Sequence, residues 1–491
     1  MSLDPRTPVL VGAGSITQRE KDPADAREPI ELMIAGLRKA ADDAGCPELL
    51  SRADSILVPK GLWGYSDPAR IIADRFGAAD ARTILAEIGV LQTTLFGTAG
   101  RDISQGRADI VLIAGGEARH REMQALHAGN EAAASEQHDV EPTQTLRPAD
   151  EIIHPLENEH GLGMPVNQYS AIEVALRFAD GREIEEHRDE IAELGARFAA
   201  VAKNNPDAWD RDGLGKDGIR NPIDGNRMLA FPYTKRHASQ WNVDQAAGLI
   251  LTSVETAEEL GIARERWVFP LAVADSNFMI SMSERGRLDR SPGFHHAAKK
   301  VFETSGVTRD GVRHREIYSC FPAAVRLQMR EIGIEADADI SVTGGMTFGG
   351  GPLNNFVLQS VAKMAEVLRG DAGSIGMVTA VSGYVTKQGV SLWSTEPGAK
   401  PFVFSDVSGA AEADAERVDV ATNYRGKATV ATYTVIFNRE GPEKTVFICN
   451  LPDGRRTIVS SEERALAELA MEEELCGRPI VLGEGGRVEI Y

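Results

Sequence analysis

Chemistry in this chain could centre on its thiols, its imidazoles or its glycine-rich turns. The four cysteines are Cys46, Cys320, Cys449 and Cys476, and no two stand at a metal-ligand or redox spacing. Cys320, in YSCFP, is the candidate nucleophile, because a thiolate can carry a transferred group. No base beside it is evident, since His314 precedes the strand, and packing is the competing role. His120, His127, His138, His154 and His160 follow no zinc pattern and read as surface residues, with ligand contact weighed for His160. Ser341 to Pro352 reads SVTGGMTFGGGP, with a strand-like run before it and a long apolar run after it. Such a turn can start a helix tightly, or it can aim helix-start amides at a developing oxyanion. VLVGAGSIT at Val9 to Thr17 mimics a dinucleotide fingerprint, but Thr17 stands where the third glycine belongs, and no acidic residue ends a second strand.

The elements that must position these residues alternate at first. Runs at Pro8 to Gly12, Ser55 to Pro59, Thr83 to Ile88 and Asp109 to Gly115 read as strands. Helical spacing covers Glu28 to Ala44, Ala69 to Phe76 and Val90 to Ser104. The alternation predicts an α/β fold with a largely parallel sheet over residues 1–118. Residues 119–242 are richer in His, Glu, Asn and Pro and read as an inserted loop domain. In residues 243–400 the opening order recurs, with EIYSCFP, DISVTGGM and SIGMVTAVSG matching SILVPKG, RTILAEIGV and ADIVLIAGGE. The interval is about 260 residues, far beyond the roughly 20–50 of a solenoid, so it marks a duplicated half. Residues 401–491 alternate in period two, with PDG and GEGG turns, and predict an antiparallel β-barrel domain. The helices that follow RTILAEIGV and DISVTGGM carry Gly97, Ala99, Gly100, Asn354, Asn355 and Ser360, which suits rods packed between two sheets.

Bulk composition narrows the partners. Of 491 residues, 42% are hydrophobic and 26% charged, and the net charge is −20. That balance argues against nucleic acid or an anionic membrane as the main partner. No apolar run approaches the roughly 20 residues that cross a bilayer, and the start MSLDPRTPVLVGAG lacks signal-peptide form. A cytoplasmic, reducing location without disulfides is expected.

Duplicated α/β halves, an insertion between them and glycine-rich turns entering central helices resemble the thiolase superfamily. YSCFP, TGGMTFGGGPLNN, PYTK followed by VDQAA, and SGYVTKQG followed by STEP are similar to the thiolase-like proteins (type 1) related to the sterol-carrier-protein thiolases. That group carries an extra C-terminal β-domain. The resemblance covers about residues 6 to 398 and implies a five-layered αβαβα fold. It also implies a nucleophilic cysteine near Gly89 or Val90, a Gly-His-Pro histidine at Met346, a second cysteine near Ala380, and an oxyanion Asn or His at Tyr318. None of those side chains is present in this sequence. Cys320, Gly345, Ser382 and Gly383 flank these positions, and His160 and Met164 sit in or before GLGMP, similar to the loop lining the family's acyl pocket. They complete the candidate pocket.

Three functions follow from the resemblance. The first is binding of CoA or an acyl-CoA thioester without Claisen or thiolytic activity. The second is acyl transfer by other residues, Cys320 or Tyr318 with backbone oxyanion donors. The third is a non-catalytic interaction subunit that docks a protein through the C-terminal domain. No tightly bound cofactor and no metal is expected, and the chain is expected to be a monomer or a homodimer.

Overall fold

The structure is a computed structural model and describes residues 3–148, 152–484 and 487–490. Its first sheet has six strands in the order Pro8–Gln18, Asp244–Ser253, Ile110–Ala118, Ser55–Pro59, Arg82–Ala86, Gln144–Leu146. Asp244–Ser253 runs antiparallel to both its neighbours, and the remaining pairs are parallel. The second sheet has five strands in the order Val312–Glu316, Ile375–Ser382, Lys387–Ser394, Phe269–Ser276, Val403–Asp406.

Two helices lie between these sheets, Gln92–Ser104 and Phe356–Gly370. Leu95, Phe96, Ile103, Val357, Leu358, Val361, Met364 and Leu368 are buried with side chains from both sheets in one apolar layer. A helix covered on both sides must be apolar or small nearly all round, and this pair is. A Cβ on Gly97 would come within 2.4 Å of the Phe404 ring, and one on Gly100 within 2.6 Å of Phe402. The small residues therefore let the edge strand of the second sheet press onto the first central helix. The helix Pro29–Ala44 backs the first sheet. Proline opens it, and Gly45 closes it at φ +68 with its amide turned back to the last turn.

The duplication is less complete than the sequence pattern predicts. DISVTGGM forms no strand, and Ile317 N–H to Ile340 O, at 2.9 Å, is the ladder-like contact there. The buried Glu316 carboxylate accepts the Val342 and Thr343 amides at 2.7 and 2.8 Å. Those donors are thereby taken from any sheet partner.

The C-terminal residues form an open sheet rather than a closed barrel. Its order is Arg456–Ser461, Pro442–Asn450, Gly426–Phe437, Pro479–Leu482, Val488–Ile490, and among the described residues the two outer strands do not pair. The helix Pro165–Ala179 of the insertion packs on this sheet. Ser170 Oγ lies 2.8 Å from Thr434 Oγ1, and Thr432 Oγ1 donates to Ala171 O at 2.6 Å. Ala230 of the insertion also pairs with Ile436. With neighbouring elements supplying these contacts, the sheet buries its apolar side without curling shut.

Candidate functional site

The site begins where the first central helix starts. Gly89 has φ +103, and a Cβ there would meet the Pro148 ring at 3.2 Å and Lys387 Nζ at 3.4 Å. Any side chain at that position would need a left-handed backbone and room that Pro148 and Lys387 occupy. Val90 is half-buried, and its amide donates to Glu87 O at 3.0 Å. Lys387 is 1% exposed and donates to Gly89 O. One step deeper, Thr93 and Thr94 donate to the two oxygens of Asp275 at 2.5 and 2.6 Å. Burial lifts the Asp275 carboxyl to about 7 against those two hydrogen bonds. The tip of this helix therefore presents an ammonium and a carboxyl, both buried, and no sulfur.

The glycine-rich turn has little left to offer a ligand. The Val342 and Thr343 amides go to Glu316, those of Gly344 and Gly345 reach Ser341 Oγ at 2.8 and 3.1 Å, and Met346 N–H goes to Ser319 Oγ at 3.0 Å. At the start of the second central helix the Val357 N–H is also taken, donating to Gln92 Oε1 at 2.9 Å. The glycines serve close approach instead. A Cβ on Gly344 would fall 2.6 Å from backbone atoms of Ala202, and one on Gly350 would fall 2.0 Å from Gln245 Oε1. Met346 is buried and lies under Gly351.

Cys320 is buried beside aromatic rings. Tyr169 stacks on Phe321 at 4.7 Å, and its hydroxyl is the polar neighbour of the Cys320 thiol. Burial pushes that thiol up to about 12, and the Tyr169 hydrogen bond only partly offsets it. Tyr318 is half-buried, edge-on to Phe356 at 5.8 Å, and burial raises its phenol above the usual range. What fixes this group is an ion cluster behind it. Glu173, fully buried, meets Arg326 at 2.7 Å and His187 at 3.0 Å and accepts from Tyr233. Burial alone would raise its carboxyl, but those partners bring it down to about 2. The cluster ties the helix bearing Tyr169 to the helix that follows Cys320.

The remaining candidates separate. Ala380 faces the central-helix layer. Ser382 ends its strand opposite Lys387, and Gly383 leads a turn in which Tyr384 and Val385 also have positive φ, +53 and +65. A β-branched residue in that region is strained. Arg285 Nη2 holds the turn through Tyr384 O at 2.6 Å, and Gln388 Nε2 holds it through Val385 O at 2.6 Å. His160 points elsewhere, with Nδ1 2.9 Å from Ser460 Oγ of the C-terminal sheet. Met164 is 63% exposed. The structure thus gathers Gly89, Val90, Lys387, Asp275 and Ser382 at one helix tip. Cys320, Tyr318, Tyr169 and Met346 lie in a neighbouring buried layer. Lys387, Asp275, Arg285 and Tyr169 were not singled out by sequence reasoning, although Lys387 lies inside the phrase SGYVTKQG. Among the described residues, no three His, Cys, Asp or Glu side chains gather as a metal site, and no helix is long and apolar enough to cross a membrane.

Known proteins resemble this architecture. A family model described as the thiolase-like protein type 1 additional C-terminal domain matches residues 410–487. The structure of a monomeric SCP2-thiolase like protein type 1 from Mycobacterium smegmatis aligns over 100% of both chains, with 26% identity and a TM-score of 0.83. An acetyl-CoA acetyltransferase from Syntrophomonas wolfei aligns over 79% of this chain and 99% of its own, at 19% identity and a TM-score of 0.56. The dimeric peroxisomal thiolase of Saccharomyces cerevisiae aligns over 80% and 99%, at 16% identity and a TM-score of 0.57. These last two share the fold. No curated protein sequence matches the chain. The chain has the thiolase fold, and its residues 410–487 match the additional C-terminal domain of the type 1 thiolase-like proteins.

Proposed function

We propose that this protein binds CoA or an acyl-CoA thioester and performs neither thiolysis nor Claisen condensation. One observation carries the reading: the tip of the first central helix offers Gly89, Val90 and the buried Lys387 ammonium, with no thiol to accept an acyl group. Thiolase chemistry needs a thiolate nucleophile, a proton-shuttling partner and donors for the thioester oxygen. The amides of the glycine-rich turn are committed to Glu316, Ser341 and Ser319, which leaves little of a backbone oxyanion hole. Acyl transfer through Cys320 is the weaker reading, because a thiol pushed up to about 12 is essentially un-ionised at neutral pH.

The experiment is a pair of measurements on the full chain. Acetoacetyl-CoA cleavage in the presence of CoA is followed at the enolate absorbance, and melting is recorded against CoA and acetyl-CoA. The expected result is no cleavage above a heat-killed control, a saturable rise in melting temperature, and an unchanged intact mass. Cleavage by pure protein, or an acyl adduct lost in Cys320→Ala, overturns the non-catalytic reading. A flat melting response overturns the CoA reading.

A further inference from the structure

A second site lies apart from the helix tip. Three segments enclose a cleft of about 100 Å³: residues 278–293, the turn 385–388 and the linker 414–416. Arg285 lines it and is 6% exposed. Its Nε and Nη2 are held by Ile280 O at 3.4 Å and Tyr384 O at 2.6 Å, while Nη1 has no partner among the described residues. No carboxylate lies within ion-pair distance of this guanidinium among the described residues. Glu157, the carboxylate whose field it feels, is committed to Ser283 N–H at 2.6 Å and Gln168 Nε2 at 2.9 Å. A buried cation without a counter-charge is costly to fold, and its natural complement is an anion from outside.

The walls add to this. The 14-residue helix Pro292–Ser305 starts in the cleft, and its Ser291 hydroxyl does not cap it. Gly293 lines the same space at the positive end of the helix dipole, and its amide has no partner among the described residues. Gln388, 1% exposed, lines the cleft, and its buried Oε1, unpartnered among the described residues, packs against Gly293. Arg287 and Arg290 contribute field rather than free donors, since Asp289 and Glu331 already take two hydrogen bonds from each. Asp414 and Glu416 stand at the rim with the opposite sign.

We propose that this cleft is a binding site for a small oxyanion, a carboxylate or a phosphate, with Arg285 Nη1 and the Gly293 amide as its donors. The cleft has room for a group of that size. The site stands whether or not the chain binds CoA, since none of its donors belongs to the helix tip.

The test is calorimetric titration of the full chain with sodium phosphate and, separately, sodium acetate, each against sodium chloride at equal ionic strength. Saturable one-to-one binding of either is expected. Tighter phosphate binding identifies a phosphorylated ligand, and tighter acetate binding a carboxylic acid. Arg285→Met should weaken binding roughly tenfold or more, as loss of a buried charge-assisted hydrogen bond does. Should that variant not fold, Glu416→Gln decides. It removes an exposed negative charge at the rim and should tighten binding about twofold or more. No saturable binding of either anion overturns the proposal, as does binding that both variants leave unchanged or that a Glu416→Gln-only series leaves unchanged.

Discussion

Arg456 of the C-terminal sheet donates from Nη1 to the main-chain carbonyl of Arg285. Its Nη2 reaches Gly286 O at 3.3 Å, and its Nε reaches Asn450 Oδ1 at 3.0 Å. The additional domain is thereby tied to the backbone of the segment whose side chain holds the strained Tyr384–Val385 turn. Arg456 is 3% exposed, and burial draws its guanidinium down to about 10. Its three hydrogen bonds are what make that burial tolerable.

Replacing that side chain therefore tests what the additional domain contributes. Arg456→Met should lower stability by about 2–4 kcal/mol, because the buried Arg285 carbonyl and the half-buried Gly286 carbonyl lose charge-assisted donors. Thermal melting reads the change. A melting temperature within a degree of wild type would show that the domain contact carries no weight.

The glycine-rich turn gives a sharper packing test. Gly344 has φ +97, and a Cβ would lie 2.4–2.6 Å from Ala202, two of the contacts being backbone atoms. A helix backbone cannot swing aside as a side chain tip can. Gly344→Ala should cost about 3 kcal/mol or more, from overpacking and the left-handed backbone together. Gly454→Ala, at φ +86 with open space around it, should cost only about 1–2 kcal/mol. Equal losses in the two variants would remove close approach as the reason for the glycine.

The pH dependence of stability isolates Asp275. Its carboxyl sits at about 7 in the folded chain, against an ordinary 3.8. Between those values the folded state holds the proton more tightly than the unfolded one, so this residue's contribution is lost as pH rises towards 7. Asp275→Asn should therefore differ least from wild type near pH 4 and gain on it steadily up to pH 8. A constant difference across that range would place the carboxyl outside the titrating set.

Thiol reactivity should follow burial. Cys320, Cys449 and Cys476 are buried and Cys46 is half-buried. Burial raises the Cys320, Cys449 and Cys476 thiols above their usual range. Native protein should therefore release about one equivalent of dye from Ellman's reagent, and about four in urea. Rapid labelling of Cys320 in native protein, located by peptide mass, would restore it as a nucleophile.

What could be read in the sequence follows the range of the interactions. The helix Pro29–Ala44 and the strand Ser55–Pro59 announce themselves because spacing and turn residues are local signals. So does the period-two pattern of the C-terminal strands, although whether a sheet closes depends on the neighbours that cover it. The helix Pro165–Ala179 lies far away in the sequence. The helix-tip cluster was hidden for the same reason. Thr93 and Asp275 are 182 residues apart, and Lys387 and Gly89 are 298 apart. A lysine in a turn phrase looks like any surface lysine until the fold buries it. The glycine-rich turn was visible, but the spending of its amides on Glu316 and two serines was not.

The edge of the first sheet bears on assembly. Arg82–Ala86 would be the last strand, with a row of unpaired N–H and C=O groups able to template a second chain. Here Gln144–Leu146 lies along it in parallel register, pairing Ile84 with Gln144 and Ala86 with Leu146. Thr143 N–H donates to Thr83 Oγ1 at 2.9 Å and extends the cover by one residue. A second copy cannot pair with Arg82–Ala86 while Gln144–Leu146 fills that edge, and the new edge is only three residues long, which blunts it as a template. The chain should therefore run as a monomer in light scattering at micromolar concentration. Leu146 faces the covered strand, since its carbonyl accepts the Glu87 amide at 2.9 Å, and in a parallel ladder the same residue's amide points that way too. Leu146→Pro removes that donor and disfavours the register. It should expose the Arg82–Ala86 edge and raise the dimer or aggregate fraction while the core melts nearly unchanged. A wild-type dimer that survives dilution, or a Leu146→Pro variant that stays monomeric with its edge exposed to hydrogen exchange, would show that the cover does not govern association.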